Sequence, residues 1–337
     1  MFNEDNIQSA IKAGIFTEET AAAFLQHIKQ ATPQSADEEH FRLITGFNDI
    51  FVVIASLLLL SSVNWMVGGA SNWLGGLASA AAAWGLSEFF VRKRRMAFPA
   101  IVLLLAFVGY VFSAGFSFVS NLTANVTEYR AFNDPINYIL PAILASVAAW
   151  LHWLRFKVPI TVAAGTAAVV VTLITAMLSI SALKPFFLIA MILAGIAVFL
   201  LAMRWDSADK ARQTRASDVA FWLHLLAAPL IIHPIFSMLG VLTKDVNMLQ
   251  ALVVLALYVA IGVTSLLIDR RALMVSALGY VIYVFSALIN SLGSVSLGLG
   301  LTSFIIGSAL LMLSAYWHQC RARVLVYAPP NIRQYLP

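Results

Sequence analysis

The stretch Asp49–Val67 reads DIFVVIASLLLLSSVNWMV, with its one charge at the first position. A helix that crosses a bilayer needs roughly 20 apolar residues, and this run has that length. Working outward, runs of the same kind recur at Trp73–Val91, Phe98–Val119, Ile136–Leu154, Val158–Ile180 and Pro185–Met203. Four more follow at Asp218–Leu239, Met248–Ile268, Ala272–Asn290 and Leu297–Tyr316. Ten such spans use about 200 residues, most of a chain of 337. Composition agrees: 61% of residues are hydrophobic and 11% are charged, and mean hydropathy is +0.87. A soluble domain carries about 25% charged residues. So few charges cannot cover a water-facing surface of this size, whereas a surface in lipid needs no such cover. The expected fold is an all-α polytopic membrane helix bundle of about ten transmembrane helices.

The charges orient the bundle. Basic residues concentrate in loops that stay on the cytoplasmic side. With the N-terminus inside, the inner loops hold Arg92, Lys93, Arg94, Arg95, Arg155 and Lys157. They also hold Arg204, Lys210, Arg212, Arg215, Arg270 and Arg271, and the tail adds Arg321, Arg323 and Arg333. The outer loops hold only Arg130, Lys184 and Lys244. Both termini are therefore expected in the cytoplasm. The net charge of +5 belongs to this pattern and gives no reason to expect a nucleic-acid partner. Cys320 is the one cysteine, so no disulfide forms within the chain. The polar, mixed-charge start does not read as a secretory leader.

Three regions are expected. Residues 1–45 form a cytoplasmic helical hairpin and linker, residues 46–319 the transmembrane bundle, and residues 320–337 a cytoplasmic tail. In the hairpin, a helix near Asp5–Ala13 stops at Gly14. Thr17 caps a second helix whose first turn holds Glu18 and Glu19. Phe24, Leu25 and Ile28 give it an apolar stripe to lay on Ile7, Ile11 and Ile15, and Thr32-Pro33-Gln34-Ser35 breaks it. So small a unit needs the membrane domain or a protein partner to lean on.

Within the bundle, Tyr110-Val111-Phe112-Ser113-Ala114 recurs as Tyr283-Val284-Phe285-Ser286-Ala287, a weak hint of a parallel three-helix repeat. Gly68-Gly69, Gly75-Gly76 and the small residues Ala78–Ala83 would let helices approach closely. Trp65, Trp73, Trp150, Trp153, Trp205 and Tyr138 read as interfacial aromatics. Pro141 and Pro229 are expected to interrupt their helices. Asn121-Leu122-Thr123 and Asn125-Val126-Thr127 are glycosylation sequons on the outer side, relevant only in a glycosylating source.

An ionisable group inside a bilayer is a functional candidate, and five stand out. Asp49 and Asp218 each open a span, where a helix N-terminus favours a carboxylate. Each is either such a dipole partner or a proton or cation site, and Ser217 is a possible cap beside Asp218. Glu88 closes a span with Arg92 four residues on, a favourable helical pair. His224 and His233 are the two histidines that look embedded. Nine residues apart, they face opposite sides of one straight helix and cannot share a metal ion unless Pro229 bends it sharply. Each is a buried histidine bonded to a neighbouring helix or a proton-relay group. His152 and His318 read as interfacial, and Asp269, beside Arg270 and Arg271, as solvated. No catalytic constellation, metal-ligand cluster or cofactor motif stands out.

The run Ala10-Ile11-Lys12-Ala13-Gly14-Ile15-Phe16-Thr17-Glu18-Glu19, the apolar first span ending in Asn64-Trp65, and double arginines such as Arg270-Arg271 carry a resemblance. Over about residues 1–115 the chain resembles a family of predicted bacterial inner-membrane proteins, domain of unknown function twenty-one fifty-seven. The resemblance implies a multi-pass location in the bacterial inner membrane. It implies no activity, because the family has none assigned.

The leading functional expectation is a transporter or channel for a small solute or ion. It requires Asp49, Glu88, Asp218 or His224 to line a continuous aqueous cavity, and dry packing around all four counts against it. The alternative is a non-enzymatic sensor, scaffold or complex subunit that acts through the N-terminal hairpin or the Arg204–Ser217 loop. An intramembrane enzyme comes third and gains weight if acidic or histidine side chains converge within hydrogen-bond reach. Oligomeric state is open.

Overall fold

A computed structural model describes residues 9, 11, 13–31, 47–122, 134–209, 212, 214–241, 248–291 and 298–329. The chain divides into two units, Met1–His40 and Phe41–Pro337. In the first unit, Gly14 takes the positive φ of +71° expected of a helix stop. Helix α1 spans Glu18–Ala31. Thr17 Oγ1 accepts from the Thr20 amide at 3.2 Å while the Thr17 amide donates to Thr20 Oγ1 at 2.9 Å, a reciprocal cap. The apolar contact differs from expectation. Ile15 is exposed, and Phe16 stacks on Phe24 at 5.9 Å instead. Most of the expected helix Asp5–Ala13, the side chains of Ile7, Leu25 and Ile28, the 32–46 linker and both sequon threonines lie outside the described residues.

Among the described residues every regular element is helical. The second unit holds α2 (Phe47–Gly68), α3 (Asn72–Ser87, prolonged by a π-helical turn Glu88–Lys93), α4 (Ala97–Leu122) and α5 (Ile139–Phe156). Then come α6 (Ile160–Leu178), α7 (Phe187–Ala208), α8 (Arg215–Met238) and α9 (Met248–Ile268). Last are α10 (Ala272–Ser291), α11 (Gly298–Ala315) and α12 (Trp317–Tyr327). Eight segments, from α2 through α9, are each long and apolar enough to cross a membrane. A ninth would be α11 with α12, bent by 79° between them, and α10 contributes a shorter apolar helix, Leu273–Ile289. The protein is thus an all-α polytopic bundle. Helices stand at all ten expected spans, but two of them do not meet the length and straightness of a simple crossing.

Leucine-rich helices here are apolar all round, and only one side of each is buried. In α2, Val52, Val53, Ser56 and Leu60 face inward, while Leu58 and Trp65 are 65% and 86% exposed. Phe304 and Leu311 on α11 are likewise open. Apolar surface on this scale, on helices long enough to cross a bilayer, suits a lipid surrounding. Helix α8 is the central pillar, with half of its apolar window buried and α6, α7 and α10 against it. Val219, Leu223 and Ala227 of α8 pack with Ala163 and Val170 of α6 and with Val198 and Ala202 of α7.

Two sequence expectations fail for stated reasons. Pro229 and Pro234 do not interrupt α8, which runs unbroken; a membrane helix can lose single amide bonds where neighbours cover the freed carbonyls. Pro141 is the third residue of α5, where no helical amide bond is due. The glycine pair on α3 does what was expected. A Cβ on Gly75 would lie 2.7 Å from the Asn64 carbonyl oxygen of α2, and one on Gly76 would lie 2.9 Å from the Ala114 Cβ of α4.

Candidate functional site: an ionic cluster at one end of the bundle

Helix α7 outlasts its apolar run by one turn, because Trp205 to Ala208 contains no helix breaker. That turn carries Asp206. The buried residues of α7 are Gly195, Val198, Ala202 and Asp206, a stripe at helical spacing, so the carboxylate continues the face packed on α8. Asp206 is fully buried. Its Oδ1 accepts from Arg270 Nη2 at 2.6 Å. Its Oδ2 pairs with His224 Nε2 at 2.8 Å and lies 3.4 Å from Arg270 Nε. Against a carboxylate acceptor, His224 donates through Nε2. Arg270 Nη2 also donates to the Ser217 carbonyl and hydroxyl oxygens, each at 3.1 Å. The Arg270 carbonyl accepts from Ser265 Oγ at 2.6 Å. Arg270, His224 and Asp206 are all within 1% of complete burial.

A second tier lies beside the first. Asp269, at φ +57°, accepts from the Trp317 indole at 2.7 Å and pairs with Arg212 Nη1 at 3.1 Å. Arg321 Nε stands 3.6 Å from its Oδ1. Arg212 also donates to the Asp269 carbonyl at 3.2 Å, and Arg271 lies over the Trp317 ring at 4.8 Å. Asp209 accepts from the amide and hydroxyl of Thr214, at 2.7 and 2.6 Å. Together these groups tie the ends of α7, α8, α9 and α12.

The five candidates read from sequence are not brought together. Glu88 gains the Arg92 partner at 3.2 Å and a closer one, Arg155 of α5, at 2.7 Å. His233 Nδ1 meets the Tyr280 hydroxyl at 2.6 Å, and Phe236 stacks on that ring at 4.8 Å. Asp49 is buried in the first turn of α2, and Asp218 lies in the first turn of α8. Thr214, rather than Ser217, caps α8, accepting from the Ala216 amide at 3.2 Å. His224 alone joins the cluster.

One further expectation is corrected. Asp269 is not solvated but 8% exposed, because Trp317 folds over it. His152, near the end of α5, is fully buried within the bundle. The small residues Ala145, Ala148 and Ala149 on its face of α5 admit Trp84, Phe107 and Phe156 around the imidazole.

Asp206 and Arg270 were invisible as a site because both sit where a hydropathy profile turns polar. The one available signal was the small-residue stripe that ends on Asp206. Among the described residues no group of three or more histidine, cysteine, aspartate or glutamate side chains is set to hold a metal ion. A cavity of about 500 Å³ lies among the ends of α3, α4, α5, α6 and α8, and an apolar one of about 390 Å³ among α9, α10 and α11. Neither is lined by Asp49, Glu88, Asp218, His224 or His233. No protein-family model, curated protein or solved structure matches the chain.

Proposed function

We propose that the protein moves a small solute or ion across the membrane and that the Asp206–Arg270–His224 cluster is the ionic lock that holds one end of its path shut. The observation that carries this reading is a complete ion pair, with a histidine on it, buried between α7, α8 and the turn that joins α9 to α10. Burying such a pair costs more than packing apolar groups of the same volume. Its use is therefore better sought in a bistable closure than in stability. Asp49 and His224 are buried and none of Asp49, Glu88, Asp218 and His224 lines the two cavities described above, which counts against a transport path along them; the reading rests on the buried ion pair alone.

The test reconstitutes the full chain in liposomes and follows proton and small-ion leak with an entrapped dye. The variant Asp206→Asn keeps the side chain's size and breaks the ion pair that forms the lock. Leak raised about tenfold over wild type supports the lock, and unchanged leak with an intact fold overturns it.

A second reading rests on the separation of the chain into two units. A sensor, scaffold or complex subunit would recruit a protein partner through residues 1–40 and use the bundle as its anchor. A partner that co-purifies with the full chain and is lost on removing residues 1–40 favours that reading; retention after truncation excludes the hairpin. An intramembrane enzyme gains from the convergence of Asp206 and His224, but it still requires a nucleophile or metal within reach of a substrate. Residence in the bacterial inner membrane, with both termini cytoplasmic, rests on the basic-residue pattern and on the family resemblance.

A further inference from the structure

The cavity of about 500 Å³ has a wall that the proposed lock does not use. Its size falls in the roughly 300–1,000 Å³ range of small-molecule sites. Five cations border it: Arg92, Arg95, Arg155, Lys157 and Arg215. Glu88 is bonded to Arg155 and Arg92. Arg95, Lys157 and Arg215 have no ion pair with an acidic group among the described residues. The balance of charge around the cavity is strongly positive.

Backbone groups push the same way. Ala97 opens α4, Ile160 opens α6 and Arg215 opens α8, and all three residues border the cavity. Three helix N-termini thus bring partial positive charge to one space, against the C-terminal ends of α3 and α5. Arg215 stands at the first position of α8, with Asp218 in the same first turn, and its side chain borders the cavity. Arg95 and Lys157 sit at the turns that end α3 and α5, Lys157 as the C-cap of α5. Their φ values are +54° and +55°, a region where glycine is unstrained and other residues are rare. Both residues border the cavity, with the Lys157 ammonium 5.1 Å from the Trp153 ring. The remaining wall is apolar, formed by Ile101, Ile160 and Trp222 among others.

We infer that this cavity binds a phosphate-bearing anion, with the headgroup of an anionic phospholipid as its occupant. Basic pockets between transmembrane helices at the membrane surface suit such headgroups. A wall that is basic on one side and apolar on the other suits the phosphate of a lipid and the start of its acyl chains. Free phosphate shares the first half of that chemistry and lacks the second.

The experiment purifies the full chain in detergent, equilibrates it with equal phosphatidylglycerol and phosphatidylcholine, and counts retained lipid by native mass spectrometry. A parallel titration with inorganic phosphate follows heat of binding. The variant R95Q/K157Q/R215Q removes the three lining cations that have no acidic partner among the described residues. K184Q/R204Q/R323Q removes the same charge elsewhere. Wild type is expected to retain phosphatidylglycerol at least tenfold over phosphatidylcholine and to show no heat with millimolar phosphate. The cavity variant should lose that preference, and the control variant should keep it. Equal retention of the two lipids, or equal loss in both variants, overturns the site. Phosphate binding without lipid preference overturns the lipid occupant and leaves a free-phosphate site. Should the triple variant not fold, R215Q alone carries the test; an unchanged lipid preference in it counts against the site.

Discussion

Asp206 shows why a membrane protein's polar residues resist reading in one dimension. It follows Arg204 at the end of an apolar run, where a span is expected to give way to a loop. Only the partners on α8 and beyond α9 reveal it as buried. His224 was legible as embedded because its neighbours are apolar for a turn on either side; what it bonds to was not. The pair gives a sharp energetic test. Asp206→Leu alone leaves Arg270 buried without its counter-charge and should destabilise the folded protein by about 3–5 kcal/mol. D206L/R270M should recover most of that loss, since a well-packed apolar replacement of a buried pair is often neutral or better. Denaturation in detergent, run as a double-mutant cycle, measures both, and equal damage from the single and double variants would show that the site cannot repack. Trp317→Phe removes one hydrogen bond to a charged group and should cost about 1.5–3 kcal/mol in the same assay.

Helix α3 displays the logic of an element. Its sequence, rich in glycine and alanine, is a poor choice for burying apolar area and a good one for bringing backbones together. That much could be read directly, and the contacts of Gly75 and Gly76 agree. Gly85, on the same helix, has open space where a Cβ would go. Two alanine substitutions should therefore diverge. Gly85→Ala should be neutral or stabilise by up to about 1 kcal/mol, the helix-propensity gain. Gly75→Ala meets carbonyl and backbone atoms of α2 and should lower the melting temperature, because two backbones must separate. Matching effects at the two positions would mean that α2 and α3 do not rely on this close approach. The π-helical turn at the end of α3 was not foreseeable. Glu88 and Arg92 suggest only an ordinary helical pair, and it takes Arg155 on another helix to make a two-arginine clamp.

The same end of the bundle gathers the basic loops. The cavity joins Arg95, Lys157 and Arg215, and Arg212 binds Asp269, so the turns after α3, α5, α7 and α9 meet at one end. Trp317, bound to Asp269, brings the end of α11 back there too. Helices α10 and α11 therefore leave that end and return to it, although α10 is short and α11 runs into a sharp bend. The alternation read from loop charges requires this geometry, and hydropathy alone would not have recovered it from the last two helices. The basic residues lead to the expectation that this end faces the cytoplasm, and labelling measures it. In a Cys320→Ser background, Arg94→Cys, Lys184→Cys and Arg323→Cys each supply one thiol for a membrane-impermeant maleimide added to intact cells. Lys184→Cys should label. Arg94→Cys and Arg323→Cys should label only after permeabilisation. If Arg323→Cys labelled from outside while Arg94→Cys stayed protected, α10 and α11 would not both cross, and the return of the chain to the basic end would need another route. Labelling of Arg94→Cys from outside would invert the whole bundle and put the proposed lipid site on the opposite leaflet.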